Sequence, residues 1–182
     1  MNLPREKQLV ELVDPTGRPI GSSTVEDAHR TPGQLHRAFS VLLVDPDGRL
    51  LLQRRAAVKT RFPSRWANTC CGHPAPGSPL RSAAAQRLSE ELSVAGVPLD
   101  ELGVYAYVAA DPTTGRVERE YDHVLLGHVS PDLPVTPDPA EVDAVRWVPL
   151  ATLADDLRRD PDAYAPWLTG VVALLPEGAG GR

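Results

Sequence analysis

Apolar residues alternate with polar ones, or form short unbroken runs, along the first third of the chain. KQLVELVD alternates weakly and ends at the turn PTGRPIG, which predicts a first strand. STVEDAHRT then predicts a short helix with serine or threonine as its N-cap. HRAFSVLLV and LLLQRR are apolar runs separated by DPDGR, which indicates two strands joined as a hairpin.

Helical spacing is clearest in SPLRSAAAQRLSEELSVAG. Apolar residues recur there near the helical period, at Ala84, Leu88, Leu92 and Val94. We expect Ser78 or Ser82 to cap the first turn of this helix, and Gly96 to follow its end.

The second half of the chain mixes strand and helix patterns. GVYAYVAA and REYDHVLLGHVS predict strands around the turn DPTTGR, and AVRWVPL predicts another. ATLADDLRRD and PDAYAPWLTGVVALL predict two closing helices. Since hairpins exclude a purely parallel sheet, we expect an α/β (α+β) fold in which one mixed β-sheet is sandwiched between helices. Residues 1–175 would form a single domain, and 176–182 a flexible tail.

Composition and charge narrow the range of possible functions. A chain of 182 residues, 42% hydrophobic and 24% charged, suits one domain with a sizeable core. A net charge of −5 argues against a general nucleic-acid binder. The sequence has no apolar run long enough for a membrane span and no apolar signal core at its N-terminus, so we expect a cytoplasmic protein.

Three histidines and two glutamates are candidates for one metal site. Glu118 and Glu120 are two apart on a predicted strand, so they share a face. With His29, His36 and His73 they would offer mixed nitrogen and oxygen donors, which suit Mg²⁺, Mn²⁺ or Zn²⁺. Taken singly, such residues are more often solvated or hydrogen-bonded, and spacing alone does not bring the five together.

The stretch RWANTCCGHP holds both cysteines of the chain, Cys70 and Cys71, side by side. Adjacent cysteines give no disulfide framework, and no CxxC pair suggests a zinc knuckle. The stretch is therefore compatible with a metal ligand, a nucleophile, a proton donor or a buried turn. Since free cysteine is commonly buried, Cys70 is expected to pack in the core.

The predicted long helix partly matches the box of Nudix hydrolases, G-x5-E-x7-R-E-U-x-E-E-x-G-U, where U is apolar. Starting at Gly72, the matching positions are Gly72, Leu88, Glu90, Glu91 and Val94. The box fails at four positions, where Ser78, Gln86, Arg87 and Ser93 replace Glu, Arg, Glu and Gly. Because box glutamates hold the metals that activate water, this pattern indicates a box that binds a diphosphate without hydrolysing it.

Several segments together are similar to type I isopentenyl-diphosphate Δ-isomerase, a family with the Nudix fold. They are LHRAFSVLLVD, LLQRRAAVKTRFPSRWANTCCGHP, YVAADPTTGRVEREYDHVLL and RWVPL, and the resemblance spans about residues 6–170. It implies an enzyme that interconverts isopentenyl diphosphate and dimethylallyl diphosphate by adding and removing protons through a tertiary carbocation, in isoprenoid biosynthesis.

The resemblance also implies residue roles. The ligands of a divalent metal, Mn²⁺, Mg²⁺ or Zn²⁺, would be His29, His36, His73, Glu118 and Glu120. The catalytic residues would be Cys71 and Glu120, with Tyr107 assisting. Glu91 would hold a Mg²⁺ together with the substrate diphosphate, and basic residues around the diphosphate would be Arg55, Lys59 and Arg87. Trp167 would lie beside the cationic carbon.

The match is imperfect at four positions. Val25 stands where many family members have a lysine that contacts the diphosphate, and Ser64, Ala67 and Ser78 replace frequent family residues. Two alternatives stay open: an isomerase-like enzyme that starts terpene cyclisation on another prenyl substrate, and a non-catalytic prenyl-diphosphate or metal-binding module. The expected partner is a small prenyl diphosphate, with no nucleic acid and no membrane span, and the protein would be a monomer or weak homo-oligomer.

Overall fold

The computed structural model describes residues 4–179. Its strands are β1 (Leu9–Val13), β2 (Pro19–Thr24), β3 (His36–Val44), β4 (Arg49–Arg55), β5 (Trp66–Ala67), β6 (Cys70–Gly72), β7 (Asp100–Ala110), β8 (Val117–His128) and β9 (Val142–Pro149). Its helices are α1 (Val25–Ala28), α2 (Leu80–Leu92), α3 (Leu150–Arg159) and α4 (Leu168–Val172), with 3₁₀ turns at Arg5–Lys7 and Pro161–Ala163. Within these residues no helix has the length and apolar character needed to cross a bilayer.

Strand β3 is the centre of the sheet. It runs parallel to β8 in a register from His36↔Glu120 to Val44↔His128, and antiparallel to β1, β4 and β6. Three further antiparallel pairs extend the sheet: β7 is added to β8, β9 to β4 and β2 to β1. Parallel and antiparallel pairs therefore coexist, which confirms the mixed sheet that the hairpins predicted.

The two faces of β3 are covered by different helices. Leu42 and Val44 belong to a buried cluster with Leu153 of α3 and Leu168 of α4. The intervening Leu43 lies in a second cluster that contains Leu80, Ala84, Leu88 and Leu92 of α2. Because successive strand residues point to opposite faces, this alternation places helices on both sides of the sheet, as expected.

Strand β2 was not predicted. Its sequence, PIGSST, carries no apolar alternation, and its first four residues are exposed. It pairs through its backbone with β1, and Pro19 stands at its first position, where a missing N–H costs no ladder bond. The hydrophobic pattern misses this edge strand because it buries almost no side chains.

Both expected ends of the long helix are wrong. Helix α2 begins at Leu80, so Ser82 falls inside its first turn, and the cap position is Pro79, where no side chain caps the helix. The helix ends at Leu92, well before Gly96, and its C-cap is Ser93, whose φ of 58° lies in the left-handed region. Ser93 stands at the glycine position of the Nudix box, and glycine is the residue that adopts this conformation most readily.

The second closing helix is much shorter than PDAYAPWLTGVVALL predicts. After the 3₁₀ turn at Pro161–Ala163 the chain is extended, and the Ala165 N–H donates to the carbonyl of Trp66 at 2.7 Å. Pro166 follows, and a proline disfavours a helical conformation in the residue before it. The helix therefore starts only at Leu168. Residues 176–179 form a turn, and the rest of the expected flexible tail, 180–182, lies outside the described residues.

Candidate active site

The five predicted metal ligands meet where β3 and β8 begin. His36 opens β3 and pairs directly with Glu120 in the parallel register, and Glu118 lies two residues earlier on the same face of β8. His29 directly follows α1, and His73 directly follows β6. One ligand atom from each of the five residues lies within 4.8 Å of the others. The convergence that spacing alone left open is thus present in the structure.

The histidine tautomers suit metal binding. His29 Nδ1 donates to the carbonyl of Val25 at 2.6 Å, and His36 Nδ1 donates to the carbonyl of Gln34 at 2.8 Å. These bonds place the proton on Nδ1 and leave the Nε2 lone pair free, as in metal-ligating histidines. Both Nε2 atoms are buried and have no hydrogen-bond partner among residues 4–179, and neither has Oε2 of Glu118.

Two of these unpartnered acceptors lie unusually close together. His29 Nε2 is 2.7 Å from Glu118 Oε2, in an arrangement that makes no hydrogen bond. A buried polar group without a partner costs free energy, and a divalent cation between the acceptors would remove that cost. The residues present therefore fit a metal ion of the kind that takes imidazole and carboxylate ligands.

Arg61, which the sequence reasoning missed, supports the cluster. Its Nε donates to Glu118 Oε1 at 3.2 Å, and its Nη1 donates to Glu6 Oε1 at 3.0 Å. Burial opposes ionisation of Glu118, but His29 and Arg61 together keep its pKa below the ordinary value. Nothing in the hydrophobic pattern marked Arg61, because its partners are distant in the chain.

Glu120 belongs to the cluster of predicted metal ligands and also lines an adjoining cavity, together with Tyr107. Its Oε1 is 2.9 Å from His73 Nε2, and its Oε2 accepts a 2.7 Å hydrogen bond from the hydroxyl of Tyr107, its direct neighbour on β7. Burial would raise the pKa of Glu120, but the neighbouring imidazoles of His36 and His73 outweigh it and hold the pKa well below its usual value. Burial and the Glu120 charge raise the pKa of Tyr107. The pair is therefore an ionised carboxylate and a protonated phenol.

The side chains of the two adjacent cysteines lie in different environments. Cys70 is completely buried in the core cluster under α2, as expected. Cys71 is half-buried and lines the cavity together with Glu120, Tyr107 and Trp167. Burial, followed by the nearby Asp122 carboxyl, raises the pKa of the Cys71 thiol to about 12. At neutral pH this sulfur therefore carries a proton.

Three polar residues around the thiol were not among the predicted site residues. Cys71 Sγ donates to Asn68 Oδ1 at 3.2 Å and lies 3.7 Å from Ser40 Oγ, its cross-strand neighbour. Ser40 is in turn 2.7 Å from Asp122 Oδ2. Asp122 continues the alternation of Glu118 and Glu120 along β8, so the strand pattern contained a signal for it.

Aromatic rings form the apolar wall of the cavity. The buried Trp167 stacks on Tyr107 at a centroid distance of 5.9 Å and meets Phe62 edge-on at 5.4 Å. The guanidinium of Arg55 lies over the tryptophan ring, 5.4 Å from its centroid. Arg55 Nε and Nη2 also donate to the carbonyl of Arg61. Arg55 therefore holds the loop between β4 and β5 in place as well as lining the cavity.

Charged residues gather at the other end of the cavity. Glu91 Oε2 accepts from Gln53 Nε2 at 3.1 Å, and its Oε1 accepts a hydrogen bond from Arg87. Lys59 pairs with Glu141, and both residues line the cavity. Glu91 is thus separate from the histidine cluster, as a second cation site requires. Val25 packs against Val10 and Ala28 and brings no charge to this end.

Comparisons with known proteins point to one family. The model of the NUDIX domain matches residues 34–168. The chain is 59% identical over 165 residues to isopentenyl-diphosphate Delta-isomerase of Nocardia farcinica, covering 91% of this chain and 93% of that protein. It is 41% identical over 167 residues to the same-named protein of Halorhodospira halophila, covering 92% and 94%. A crystal structure of a Deinococcus radiodurans protein shares the fold, with a TM-score of 0.74 at 18% identity over 93% of this chain and all of that one.

Proposed function

The chain belongs to the type I isopentenyl-diphosphate Δ-isomerases of the NUDIX family, and from this premise we propose how its cavity performs the reaction. The enzyme interconverts isopentenyl diphosphate and dimethylallyl diphosphate. In the proposal Cys71 and Glu120 are the proton-transfer groups, Tyr107 assists Glu120, and Trp167 faces the cationic carbon. The observation that carries it is that a protonated thiol and an ionised carboxylate line the same cavity.

The reaction needs one group that donates a proton to the substrate and one group that accepts a proton from it. A proton adds to a carbon of the double bond, and another leaves the neighbouring carbon on the other side of the cation, so the product has the same composition as the substrate. Cys71 and Glu120 rest in opposite protonation states, which supplies one donor and one acceptor. The Tyr107 hydroxyl, at 2.7 Å from Glu120, is placed to steer or carry that proton.

The tertiary carbocation between the two steps must be shielded from water. Trp167 and Tyr107 present stacked aromatic rings to the cavity, and the electron-rich ring face attracts a cation. Trp167 is held in place because its Nε1 donates to Asn68 Oδ1 at 3.0 Å. Aromatic walls of this kind exclude water and stabilise positive charge at once.

Two divalent cations complete the proposal. One of them, Mn²⁺, Mg²⁺ or Zn²⁺, would be held by His29, His36, His73, Glu118 and Glu120, and its positive charge would fix the orientation of Glu120 and favour its ionised form. Glu91 would bind Mg²⁺ together with the diphosphate. Lys59, Arg55 and Arg87 would neutralise the diphosphate oxygens, since cations pair strongly with phosphate.

A proton-exchange experiment tests the assignment. Purified protein with Mg²⁺ and isopentenyl diphosphate in D₂O should form deuterated dimethylallyl diphosphate, followed by NMR. Cys71→Ala and Glu120→Gln should each abolish exchange, whereas Cys70→Ala, its matched control, should retain most of it. An inactive Cys70→Ala protein beside an active Cys71→Ala protein would reverse the assignment within the pair.

The relatives favour this activity over the two alternatives. Both relatives carry the name of the isomerase rather than of a terpene cyclase or a binding module. Turnover of a longer prenyl diphosphate without exchange of isopentenyl diphosphate would support the cyclase alternative. A cytoplasmic location and a monomeric or weakly oligomeric state stay predictions from the sequence.

A further inference from the structure

The N-terminal turn places an arginine at the charged end of the cavity. Arg5 opens the 3₁₀ turn at Arg5–Lys7 and lines the cavity. Its Nη1 lies 3.1 Å from Glu141 Oε1 and 3.9 Å from Glu91 Oε1. The turn precedes residue 34, where the match to the NUDIX domain begins, so Arg5 comes from outside the part of the chain that the domain model describes.

Glu6, the residue after Arg5, fixes this turn to the body of the protein. Glu6 accepts hydrogen bonds from Thr60 at 2.9 Å and from Arg61 Nη1 at 3.0 Å. Arg61 continues to the metal-cluster residue Glu118. Lys7 pairs with Glu26 at 2.8 Å, away from the cavity. Glu6 thus holds the turn beside the cavity, whereas the exposed ion pair of Lys7 contributes little to its position.

Arg5 belongs to a group of cations that share two carboxylates. Arg87 contacts Glu91 closely and lies 3.4 Å from Glu141, and Lys59 also contacts Glu141 closely. Arg5 lies near the same two carboxylates, at 3.1 Å from Glu141 and 3.9 Å from Glu91. Since Glu91 is the proposed Mg²⁺ ligand, a divalent cation there would compete with the arginines for the carboxylate oxygens. The guanidinium groups would then need new anionic partners.

We propose that Arg5 is a substrate-binding residue that contacts the diphosphate. A guanidinium presents several N–H donors in a planar fork that matches phosphate oxygens. Val25, which stands where many family members have a lysine, is buried against Val10 and Ala28, whereas Arg5 brings a cation to the cavity from the N-terminal turn. The inference rests on the proposed function, because it assumes that the diphosphate binds beside Glu91, Lys59 and Arg87.

Arg5→Gln tests the proposal, with Lys7→Gln as the matched control. Both variants lose one positive charge from the same turn, but only Arg5 faces the cavity. Loss of a charged hydrogen bond predicts that KM for isopentenyl diphosphate rises about 10- to 100-fold in Arg5→Gln, with kcat changed much less. Arg5→Lys should recover part of the loss, and Lys7→Gln should match the wild type.

Calorimetric binding of inorganic pyrophosphate with Mg²⁺ gives a second readout that needs no turnover. Arg5→Gln should weaken this binding by a similar factor and leave the melting temperature unchanged. A wild-type KM and a wild-type pyrophosphate affinity in Arg5→Gln would overturn the proposal and leave Arg5 as a counter-charge for Glu141. If the wild type failed to turn over isopentenyl diphosphate, the proposed function would fail, while the pyrophosphate measurement would still decide the role of Arg5.

Discussion

Trp167 and Asn68 are joined by a buried hydrogen bond, in which the indole Nε1 donates to the amide Oδ1 at 3.0 Å. The same oxygen accepts from the Cys71 thiol at 3.2 Å. One amide thus links Trp167 of the aromatic wall to the Cys71 thiol in β6. Asn68 also donates to the carbonyls of Val41 and Cys70, which fixes the orientation of the amide.

We expect Asn68→Ala to weaken both catalysis and stability. Loss of the acceptor leaves the buried indole N–H without a partner, which costs about 1–3 kcal/mol. The thiol also loses its nearest acceptor, so kcat should fall more than KM rises. Urea unfolding of Asn68→Ala, Trp167→Phe and the double variant measures the coupling, which we expect at about 1 kcal/mol. Additive effects of the two substitutions would mean that this hydrogen bond contributes nothing.

The reactivity of the Cys71 thiol should depend on pH differently from that of an ordinary cysteine. Because burial raises the pKa of Cys71 to about 12, its reactive thiolate is scarce at pH 8. Iodoacetamide should label native Cys71 on the order of a thousandfold more slowly than the unfolded chain at this pH, and the rate should rise about tenfold per pH unit. Mass spectrometry of the Cys70→Ala variant isolates this site. A labelling rate that levels off near pH 9 would contradict the raised pKa.

Tyr107→Phe should lower turnover while leaving the metal site intact. The substitution removes only the hydroxyl that donates to Glu120 at 2.7 Å, so we expect kcat to fall about 100-fold, as for loss of a group that assists proton transfer. Tyr105 stacks on Tyr107 with an interplanar angle of 15°, on the same face of β7, and Tyr105→Phe is the matched control. Equal losses in both variants, measured by the NMR exchange assay, would assign the effect to packing.

Fold and site were predictable from the sequence to different extents. The buried strands β3 and β8 and the helix α2 carry hydrophobic patterns because they line the core, and these elements were predicted. Strand β2 and the short strand β6 were not, since backbone pairing holds them and leaves little apolar signal. The extended chain before α4 follows from Pro166, whose effect on Ala165 outweighs the helical pattern around it.

The residues of the site also differ in how far the sequence predicted them. Glu118 and Glu120 share a face because of strand geometry, but only the resemblance to the family indicated that three distant histidines join them. Arg61 and Asn68 act through partners that lie far away in the chain, such as Glu118 and Trp167. Such contacts depend on the tertiary fold, and no local spacing encodes them.

His73 gives the metal-free protein a specific acid sensitivity. Burial, together with the neighbouring His36 and His29, lowers the pKa of His73 to about 4, although hydrogen bonding to Glu120 opposes the shift. The unfolded chain binds a proton at this histidine near pH 6.5. Between pH 6.5 and 4 the unfolded state therefore holds more protons, so the free energy of unfolding should decrease as the pH falls, by up to about 1.4 kcal/mol per pH unit.

Urea unfolding in EDTA, compared between wild type and His73→Gln, isolates this contribution, because glutamine does not titrate. The stability of the wild type relative to the variant should be constant above pH 7 and should decline steadily between pH 6.5 and 4. His123→Gln serves as a control, since His123 pairs with Glu101 on the other side of β8, away from the cluster. A difference between wild type and His73→Gln that stays constant down to pH 4 would mean that His73 titrates alike in the folded and unfolded chains.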